Sequence, residues 1–274
     1  MINVGVVGCG YWGPNLIRNF NSCSKINLKW VCDLDSSRLN KIISQYPHVN
    51  HTMDYNKLLE DENLDAIAIA TPVNTHFNLA KSALGKNKHV LLEKPIASSS
   101  KEAMELIEIA KSKKLSLMCD HTYCYSNHVK KIKELIDNKT LGKILYFDSV
   151  RINLGLFQQD INVAWDLAPH DLSILFYIFN EDPISLTATG TSHAGNNIEN
   201  LSYINLYYPN NMIAHIHVNW LSPLKERKIM IAGDKKMLVW DDLNPSESIK
   251  VYDTGIGVKE ISKDVTILSN NNKK

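Results

Sequence analysis

The sequence has no excess of charge of either sign. Its 30 lysine and arginine residues stand against 29 aspartate and glutamate residues, which leaves a formal net charge of +1. Proteins that bind nucleic acid through phosphate neutralisation carry a basic patch or stripe, and none precedes the terminal Lys273-Lys274. We therefore expect no nucleic-acid partner.

Long hydrophobic runs are also absent. No apolar stretch approaches the roughly 18 residues that a membrane-spanning helix needs. No basic segment precedes the strand-like residues 2–7, so the start of the chain does not have the pattern of a signal peptide. We expect a soluble, cytoplasmic protein with no membrane partner.

The sequence contains few cysteines, and their number is odd. An odd count does not fit a disulfide framework, and the spacings do not match a zinc ligand set. We expect reduced thiols and no metal. The five cysteines are Cys9, Cys23, Cys32, Cys119 and Cys124.

Up to about residue 120, short continuous apolar runs alternate with amphipathic segments. This pattern is typical of parallel strands that helices cover on both faces, so an α/β domain is predicted over residues 1–120. Strands are predicted at 4–7, 28–32, 66–70, 89–92 and 115–118, and helices near 13–22, 36–46, 75–86 and 100–113.

The remainder of the chain, residues 121–274, has a different rhythm. After a helix around 127–138, strand-like runs follow one another, separated by turn signals such as Gly233-Asp234. We predict an α+β domain with a large, mostly antiparallel open sheet and one further helix near 169–179. Strands are predicted near 143–153, 184–193, 201–208, 212–221, 227–232, 236–241 and 248–253.

A glycine motif follows the first predicted strand and opens the first predicted helix. In Gly8-x-Gly10-x-x-Gly13, the first glycine permits a tight turn, the second lets the backbone approach a pyrophosphate, and the third lets helix and strand pack closely. Pro14 suits the first helical turn. The helix N-terminus then offers N–H groups and a partial positive charge to phosphates. We predict a dinucleotide site.

Asp33 stands at the end of the second apolar run, 20 residues after Gly13. A carboxylate there accepts hydrogen bonds from a ribose diol and repels a 2′-phosphate, so NAD is favoured and NADP is less favoured. Arg38 is a residue type that accommodates such a phosphate. The alternative role for Asp33 is a helix cap, for which Ser36 is the better candidate.

Two further strand ends carry polar residues. Thr71-Pro72 ends the third apolar run, and we expect it to contact the nicotinamide end of the cofactor together with Asn74 and His76. In the alternative interpretation Thr75 caps the next helix and His76 packs against it.

Glu93-Lys94-Pro95 ends the fourth apolar run. A buried, unpaired ammonium group is costly, so we expect Lys94 in a cleft beyond the carboxyl end of the sheet, where open α/β sheets bind ligands. The alternative is a glutamate–lysine pair at a solvated turn.

The segment Trp165-Asp166-Leu167-Ala168-Pro169-His170-Asp171 precedes the helix predicted near 169–179. Pro169 suits the first helical turn, which would place His170 at the positive helix end and keep its imidazole neutral. Asp166 is then able to orient the ring. The alternative is a capping aspartate with a structural histidine.

Together these motifs resemble the glucose–fructose oxidoreductase, inositol dehydrogenase and rhizopine-catabolism (Gfo/Idh/MocA) family. The resemblance implies an N-terminal Rossmann domain, a C-terminal domain with a large open sheet, and oxidation or reduction of sugar or cyclitol hydroxyls with NAD(P). It also implies catalytic roles for Lys94, Asp166 and His170. The matching motifs are Gly8-x-Gly10-x-x-Gly13, Ala70-Thr71-Pro72 with Thr75-His76, Lys88-His89-Val90 before Glu93-Lys94-Pro95, and Asp166-x-x-x-His170.

In such a reaction we expect His170 to accept the hydroxyl proton, with Lys94 as the alternative base. The expected cofactor-binding residues are Gly8, Gly10, Tyr11, Trp12, Gly13, Asp33, Thr71, Pro72, Asn74, His76, Glu93 and Lys94. The expected substrate-binding residues are Lys94, Arg151, Asn153, Trp165, Asp166 and His170.

Three segments, residues 11–16, 151–155 and 165–171, are most similar to a subgroup that acts on nucleotide-linked sugars. That subgroup includes UDP-N-acetylglucosamine and UDP-N-acetylglucosaminuronate 3-dehydrogenases, whose products serve surface polysaccharide or lipid A biosynthesis. Oxidation of C3 of a UDP-linked N-acetyl sugar is therefore expected. The alternatives are an inositol, polyol or free-sugar dehydrogenase and, in another class, a non-catalytic NAD(H)-binding sensor or scaffold.

The second domain carries two further expectations. The family usually continues beyond the sheet with another helix, so this domain is expected to be short at its C-terminus. Strands with alternating polarity, such as residues 213–218, leave one sheet face to be covered, which favours a homodimer or homotetramer formed through the C-terminal sheet.

Overall fold

The computed structural model of the protein describes residues 1–155, 157–158, 160–193, 197–261 and 264–271. The chain divides into two compact units, Met1–Asp120 and His121–Lys274. Each unit has its own sheet and its own hydrophobic core. Among the residues described, no helix combines the length and apolar character needed to span a membrane.

The first unit is built around a six-stranded sheet. Its elements are β1 (Ile2–Val7), α1 (Gly13–Ser22), β2 (Ile26–Cys32), α2 (Ser36–Gln45), β3 (Asn50–Thr52), α3 (Asn56–Glu60), β4 (Ala66–Ile69), α4 (Val73–Gly85), β5 (His89–Leu92), α5 (Ser100–Ser112) and β6 (Leu117–Cys119). The strand order is β3-β2-β1-β4-β5-β6, and all neighbouring strands are parallel. The predicted parallel sheet is confirmed.

Hydrophobic clusters cover both faces of this sheet. Along β1, Val6 packs into a cluster with α1 and α2, whereas the next residue, Val7, packs into a cluster with α4 and α5. Successive side chains of a strand point to opposite faces, so both faces are buried and the strands are apolar without alternation. The sequence did not predict β3 or α3, because β3 is polar and α3 has only five residues.

The second unit is built around a seven-stranded sheet. Its elements are α6 (Asn127–Asp137), β7 (Ile144–Leu154), α7 (Val163–Ile178), β8 (Ser185–Thr191), β9 (Leu201–Tyr207), β10 (Ile213–Asn219), β11 (Leu221–Gly233), β12 (Met237–Asp241), β13 (Ile249–Tyr252), β14 (Thr254–Ile261) and β15 (Asp264–Asn271). The sheet order is β13-β12-β11-β7-β10-β9-β8, while β14 and β15 form a separate hairpin. Only the pair β7 and β10 is parallel within the seven-stranded sheet, which confirms the mostly antiparallel open sheet.

One face of this sheet packs against helices. On β10, Ala214 and Ile216 are buried in the same cluster as Ile174 of α7. The alternating residues point to the other face, where Tyr203 and Ile213 are 41% and 43% exposed. Oligomerisation through the C-terminal sheet stays a prediction.

Helix α7 begins well before its predicted start. The Asn162 side chain caps it by accepting the Trp165 N–H at 2.9 Å. Pro169 therefore lies inside the helix instead of in its first turn, and the Trp165 carbonyl loses the N–H that another residue at position 169 would donate. Apolar residues on both sides of the proline, including Val163 and Ile174, are fully buried, and this packing outweighs the lost bond.

The Asn162 cap can be tested by substitution. Asn162→Ala should lower the free energy of unfolding by about 1 kcal/mol, because the first-turn N–H loses its acceptor. Asn162→Ser is the matched control: a hydroxyl accepts the same N–H, but the bond from Asn162 Nδ2 to Glu199 Oε2, 3.1 Å long, is lost. Urea unfolding followed by circular dichroism gives both values. An equal loss in the two variants would assign the effect to Glu199 and not to the cap.

Candidate dinucleotide site and catalytic residues

The turn after β1 requires glycine at two positions. Gly8 has a φ of +97°, and a Cβ added there would lie 2.5 Å from the Ala70 carbonyl oxygen. A Cβ at Gly13 would overlap the Gly8 carbonyl oxygen, so α1 approaches this closely only because residue 13 has no side chain. At Gly10 an added Cβ would have a single neighbour within 4 Å, Nη1 of Arg38 at 3.5 Å, which leaves the backbone open to a ligand.

Helix α1 begins next to this turn without a side-chain cap. Trp12 occupies the N-cap position and makes no side-chain cap hydrogen bond, and Pro14 lies in the first turn, as predicted. Tyr11 is 92% exposed. The first-turn N–H groups and the positive end of the helix dipole therefore fit a pyrophosphate.

Asp33 follows β2 and orders the glycine turn. Its Oδ2 accepts the N–H of Cys9, and its Oδ1 accepts the N–H of Asp35 at 2.8 Å. The carboxylate thus stands beside the turn, where this type of domain binds the ribose diol. Helix α2 is capped by Asp35, which accepts two first-turn N–H groups. Both cap candidates from the sequence, Asp33 and Ser36, are therefore wrong.

The thiols beside this turn are not nucleophiles. Burial, followed by the nearby Asp33 carboxylate, raises the pKa of Cys9 to about 12 and that of Cys32 to about 11. Both cysteines are free, and at neutral pH they are neutral, inert core residues.

His76 connects two turns. Its side chain is fully buried, with Nδ1 2.9 Å from the Pro95 carbonyl oxygen and Nε2 2.9 Å from the Thr71 carbonyl oxygen. Both ring nitrogens face backbone acceptors, so His76 ties the turn after β4 to the turn after β5. The predicted contact between His76 and the cofactor stays a prediction.

The turn after β4 is braced by threonine hydroxyls. Thr71 Oγ1 lies 2.7 Å from Thr75 Oγ1, and the Thr75 hydroxyl donates to the Pro72 carbonyl at 2.7 Å. Pro72 occupies the N-cap position of α4, so the expectation that Thr75 caps this helix is wrong. Asn74 is exposed in the first turn. Thr71, Pro72 and Asn74 thus follow β4 at the carboxyl edge of the sheet, and their contact with the nicotinamide end stays a prediction.

Glu93 and Lys94 come directly after β5 at the same edge. The Glu93 N–H donates to the Ile69 carbonyl at 2.9 Å, which extends the alignment of β5 with β4. Asp120, the residue after β6, donates its N–H to the Leu92 carbonyl at 2.7 Å, so it leaves the strand next to β5. Burial and then the Asp120 carboxylate raise the pKa of Glu93 to about 8. The sequence analysis did not predict that a second acid would influence Glu93.

Helix α7 carries Asp166 and His170 one turn apart. Asp166 lies in the first turn and accepts the Trp220 indole N–H at 3.2 Å. The His170 ring packs edge-on against Tyr123, with centroids 5.3 Å apart. Because α7 begins at Val163, the predicted place of His170 at the helix N-terminus is wrong, and the dipole argument for a neutral ring loses its basis. The i,i+4 spacing still puts both side chains on one helix face.

Arg151 is buried in an ion pair. Its side chain is 6% exposed, Nε donates to Asp171 Oδ2 at 2.8 Å, and Nη2 donates to Asp171 Oδ1 at 3.0 Å. This placement does not fit the alternative of a solvated edge, and the substrate contact stays a prediction. Asn153 lies two residues further along β7, and Trp165 is 41% exposed on α7.

Tyr123 connects the ion pair to His170 and was missed by the sequence analysis. Its hydroxyl accepts Nη1 of Arg151 at 3.1 Å and donates to Asp242 Oδ2 at 3.0 Å. Its ring also lies 4.7 Å from the Arg151 guanidinium carbon. The only signal in the sequence was the spacing on β7. Residues two apart on a strand point to the same face, and Ser149 and Arg151 are both buried on that face.

The strand order of the parallel sheet reverses its direction between β1 and β4, and the glycine turn and the open N-terminus of α1 follow β1. These features define a Rossmann-type dinucleotide-binding domain. Two family models match the chain. One is described as an oxidoreductase family with an NAD-binding Rossmann fold and matches residues 2–121; the other, the GFO/IDH/MocA C-terminal domain, matches residues 129–239. The chain belongs to the Gfo/Idh/MocA family of oxidoreductases, and its cofactor is NAD. The family resemblance is confirmed.

Individual relatives agree with this family. An uncharacterized oxidoreductase of Streptococcus pneumoniae is 25% identical over 269 residues, covering 92% of this chain and 71% of that protein. The myo-inositol 2-dehydrogenase of Thermotoga maritima is 26% identical over 202 residues, covering 69% of this chain and 58% of that protein. The WlbA dehydrogenase from Bordetella pertussis, solved with NADH and UDP-GlcNAcA, has a similar fold, with a TM-score of 0.80 and 19% identity over 88% of this chain and 73% of that chain.

The glycine turn leads to a binding prediction. Gly13→Ala should weaken NAD binding at least about tenfold, equal to about 1.4 kcal/mol, because the new Cβ pushes α1 away from Gly8. Gly85→Ala is the control, since a Cβ at the end of α4 meets nothing within 4 Å. Isothermal titration calorimetry measures Kd, and circular dichroism checks folding. An unchanged Kd in Gly13→Ala would contradict this role of the turn.

The buried ion pair leads to a stability prediction. Asp171→Ala should lower the free energy of unfolding by about 3–5 kcal/mol, because it leaves the Arg151 charge buried and unpaired. Glu134→Ala breaks an exposed pair with Lys131 in the same unit and should change stability by less than about 1 kcal/mol. Thermal and urea unfolding compare the two. A loss in Asp171→Ala no larger than that of the control would show that the pair is not a structural anchor.

Proposed function

We propose that this protein is an NAD-dependent dehydrogenase that oxidises a hydroxyl of a sugar to a ketone, with C3 of a UDP-linked N-acetyl sugar as the reacting carbon. The observation that carries the proposal is the pair of Asp166 and His170, one turn apart on α7 with Tyr123 against the imidazole. An imidazole oriented by a carboxylate is a common form of general base. In an NAD-binding oxidoreductase, a base of this kind serves to remove a hydroxyl proton.

The cofactor site of this proposal lies at the carboxyl edge of the first sheet. The glycine turn and the α1 N-terminus would hold the pyrophosphate, and Asp33 would accept hydrogen bonds from the ribose hydroxyls. A 2′-phosphate would face the Asp33 charge, which supports NAD over NADP. Arg38, the nearby residue suited to such a phosphate, pairs with Asp35 at 3.3 Å.

Three residues share the proposed chemistry. NAD, when bound, would supply the hydride acceptor. His170 takes the hydroxyl proton, Asp166 orients His170, and the Lys94 ammonium stabilises the negative charge that develops on the oxygen. The alternative base is Lys94, which would then take the hydroxyl proton in place of His170.

The choice of a nucleotide sugar is supported by the segments at residues 11–16, 151–155 and 165–171, which are similar to dehydrogenases of UDP-linked N-acetyl sugars. The similarly folded Bordetella protein, solved with a UDP-sugar, is consistent with it. Arg151, the predicted contact to the diphosphate, is hydrogen-bonded to Asp171. A cyclitol is the second candidate substrate, since a relative with 26% identity is a myo-inositol 2-dehydrogenase.

A spectrophotometric screen at about 340 nm tests this function. We expect NADH formation with one UDP-N-acetyl sugar and none with myo-inositol or glucose. In Lys94→Ala and His170→Ala, kcat should fall by about 10²–10⁴-fold, because each loses a group that acts in the transition state. Lys111→Ala, which changes an exposed lysine of the first unit, is the control for Lys94.

The other outcomes are also decisive. Turnover of myo-inositol without turnover of UDP-sugars would support the second candidate. A flat trace calls for mass spectrometry of the sugar, because tightly held NADH conceals turnover. If no keto product forms while NAD binds, the proposal is wrong, and a non-catalytic NAD(H)-binding sensor or scaffold takes its place.

A further inference from the structure

The Tyr123 hydroxyl makes three hydrogen bonds, all to charged side chains of the second unit. It donates to Asp242 Oδ2 at 3.0 Å, and it accepts Nη1 of Arg151 at 3.1 Å and Nη1 of Arg227 at 3.3 Å. A phenol hydroxyl has one proton to donate and two lone pairs, so all of its hydrogen-bonding capacity is used. These contacts leave nothing for a substrate proton and instead fix the position of the hydroxyl end of the ring.

The three partners of the hydroxyl belong to the seven-stranded sheet. Arg151 lies on β7, Arg227 lies on β11, and Asp242 directly follows β12. The Asp242 N–H donates to the Arg227 carbonyl at 3.0 Å, so the pairing of β11 with β12 continues past the end of β12. Arg151 also donates to Asp171 of α7 through Nε and Nη2. The tyrosine hydroxyl is therefore held on the sheet and, through Arg151, against the helix that carries His170.

The backbone next to Tyr123 is tied to the same helix. Tyr123 lies in a short 3₁₀ helix, Thr122–Tyr125. The next residue, Cys124, donates from Sγ to the Ser173 carbonyl at 3.5 Å, and the Ser173 hydroxyl donates to the His170 carbonyl at 2.8 Å. The backbone end of the tyrosine is thus anchored within one turn of His170, while its hydroxyl end is anchored on the sheet.

The tyrosine ring between these two anchors lies against the His170 imidazole. The ring centroids are 5.3 Å apart and the ring planes are inclined by 76°, which is an edge-to-face contact. The χ2 torsion of a histidine has no narrow staggered minima, so the backbone alone does not determine where the ring nitrogens point. A fixed ring beside the imidazole limits that rotation. Trp240 also packs edge-on against the tyrosine ring, with centroids 6.0 Å apart, and helps to hold it.

We propose that Tyr123 is a positioning residue for His170, and that Asp242 acts on the orientation of the imidazole through the Tyr123 hydroxyl. The effect on turnover rests on the proposed function, in which His170 takes the hydroxyl proton. A displacement of about 1 Å in a reacting group can cost about 10²-fold in rate, so the orientation of the imidazole affects kcat directly.

The orientation of His170 can be tested without any substrate. In the full-length protein labelled at its 10 histidines, ¹H–¹³C NMR observes each ring Cε1, and His170→Ala identifies the His170 signal by its loss. In Asp242→Ala this signal should move, because the tyrosine hydroxyl loses its acceptor and the ring shifts. Glu247→Ala is the matched control, because it removes an exposed acid that pairs with Lys250 at 2.7 Å, and it should leave the His170 signal in place.

Tyr123→Phe tests whether Asp242 acts through the hydroxyl. This variant keeps the ring and removes the hydroxyl, so adding Asp242→Ala to it should not move the His170 signal further. An unmoved signal in Asp242→Ala, or an equal movement with and without the hydroxyl, would overturn the proposal. Both results can be obtained whether or not the protein oxidises any sugar, so they separate failure of the role of Tyr123 from failure of the proposed function.

The kinetic consequence is tested on the substrate that the screen identifies. Tyr123→Leu removes the ring and should lower kcat at least about tenfold while KM changes less than about twofold, because the tyrosine holds the base and not the substrate. Tyr123→Phe should lower kcat by a smaller factor, and it keeps the test decisive if circular dichroism shows that the leucine variant does not fold.

Two further variants complete the kinetic test. Asp242→Asn keeps an acceptor for the tyrosine hydroxyl and should retain the kcat of the wild type. Tyr252→Leu is the control for the loss of a tyrosine, because Tyr252 is exposed on the edge strand β13, and it should leave kcat unchanged. An unchanged kcat in both Tyr123 variants, or a loss confined to KM, would overturn the positioning role.

Discussion

Parallel pairing decides where the first unit can carry out chemistry. Because all of its strands run in one direction, they all end at one edge, and the residues that follow them gather there from distant parts of the chain. Gly8 follows β1, Asp33 follows β2, and Glu93 and Asp120 follow β5 and β6. The glycine turn, the acid beside it and the two acids that follow β5 and β6 are therefore gathered at one edge by the same strand direction.

The second unit positions its residues by another means, a buried charge. Arg151 on the central strand β7 is satisfied only when Asp171 of α7 lies opposite its guanidinium, so the helix has one favourable register on the sheet. Asp166 and His170 lie on the same helix, so the register that the ion pair sets also fixes their positions on the sheet. The Tyr123 ring contacts both the Arg151 guanidinium and the His170 imidazole. Apolar residues in place of the pair would fill the same space but would not select this single register.

How far the sequence predicts the structure depends on whether a residue acts through its own backbone or through a distant partner. Gly13 was predicted correctly because the close approach of helix and strand demands a missing side chain at that position. The start of α7 was missed because Pro169 is a strong local signal, whereas Asn162 becomes a cap only once the apolar face packs. The roles of His76 and Arg151 were missed because their partners are backbone carbonyls and a carboxylate that only the tertiary fold brings near.

The central position of β7 also affects how the chain folds as it is made. Both neighbours of β7, namely β10 and β11, lie between residues 213 and 233, so Ile144–Leu154 leaves the ribosome long before it can pair. Pairings across such sequence distances form slowly, because a long loop must close first. The first unit completes its sheet by residue 119, while the second still exposes unpaired strands. During synthesis of the second half, the nascent chain therefore exposes strand edges that have no partner yet, and such edges are prone to aggregate.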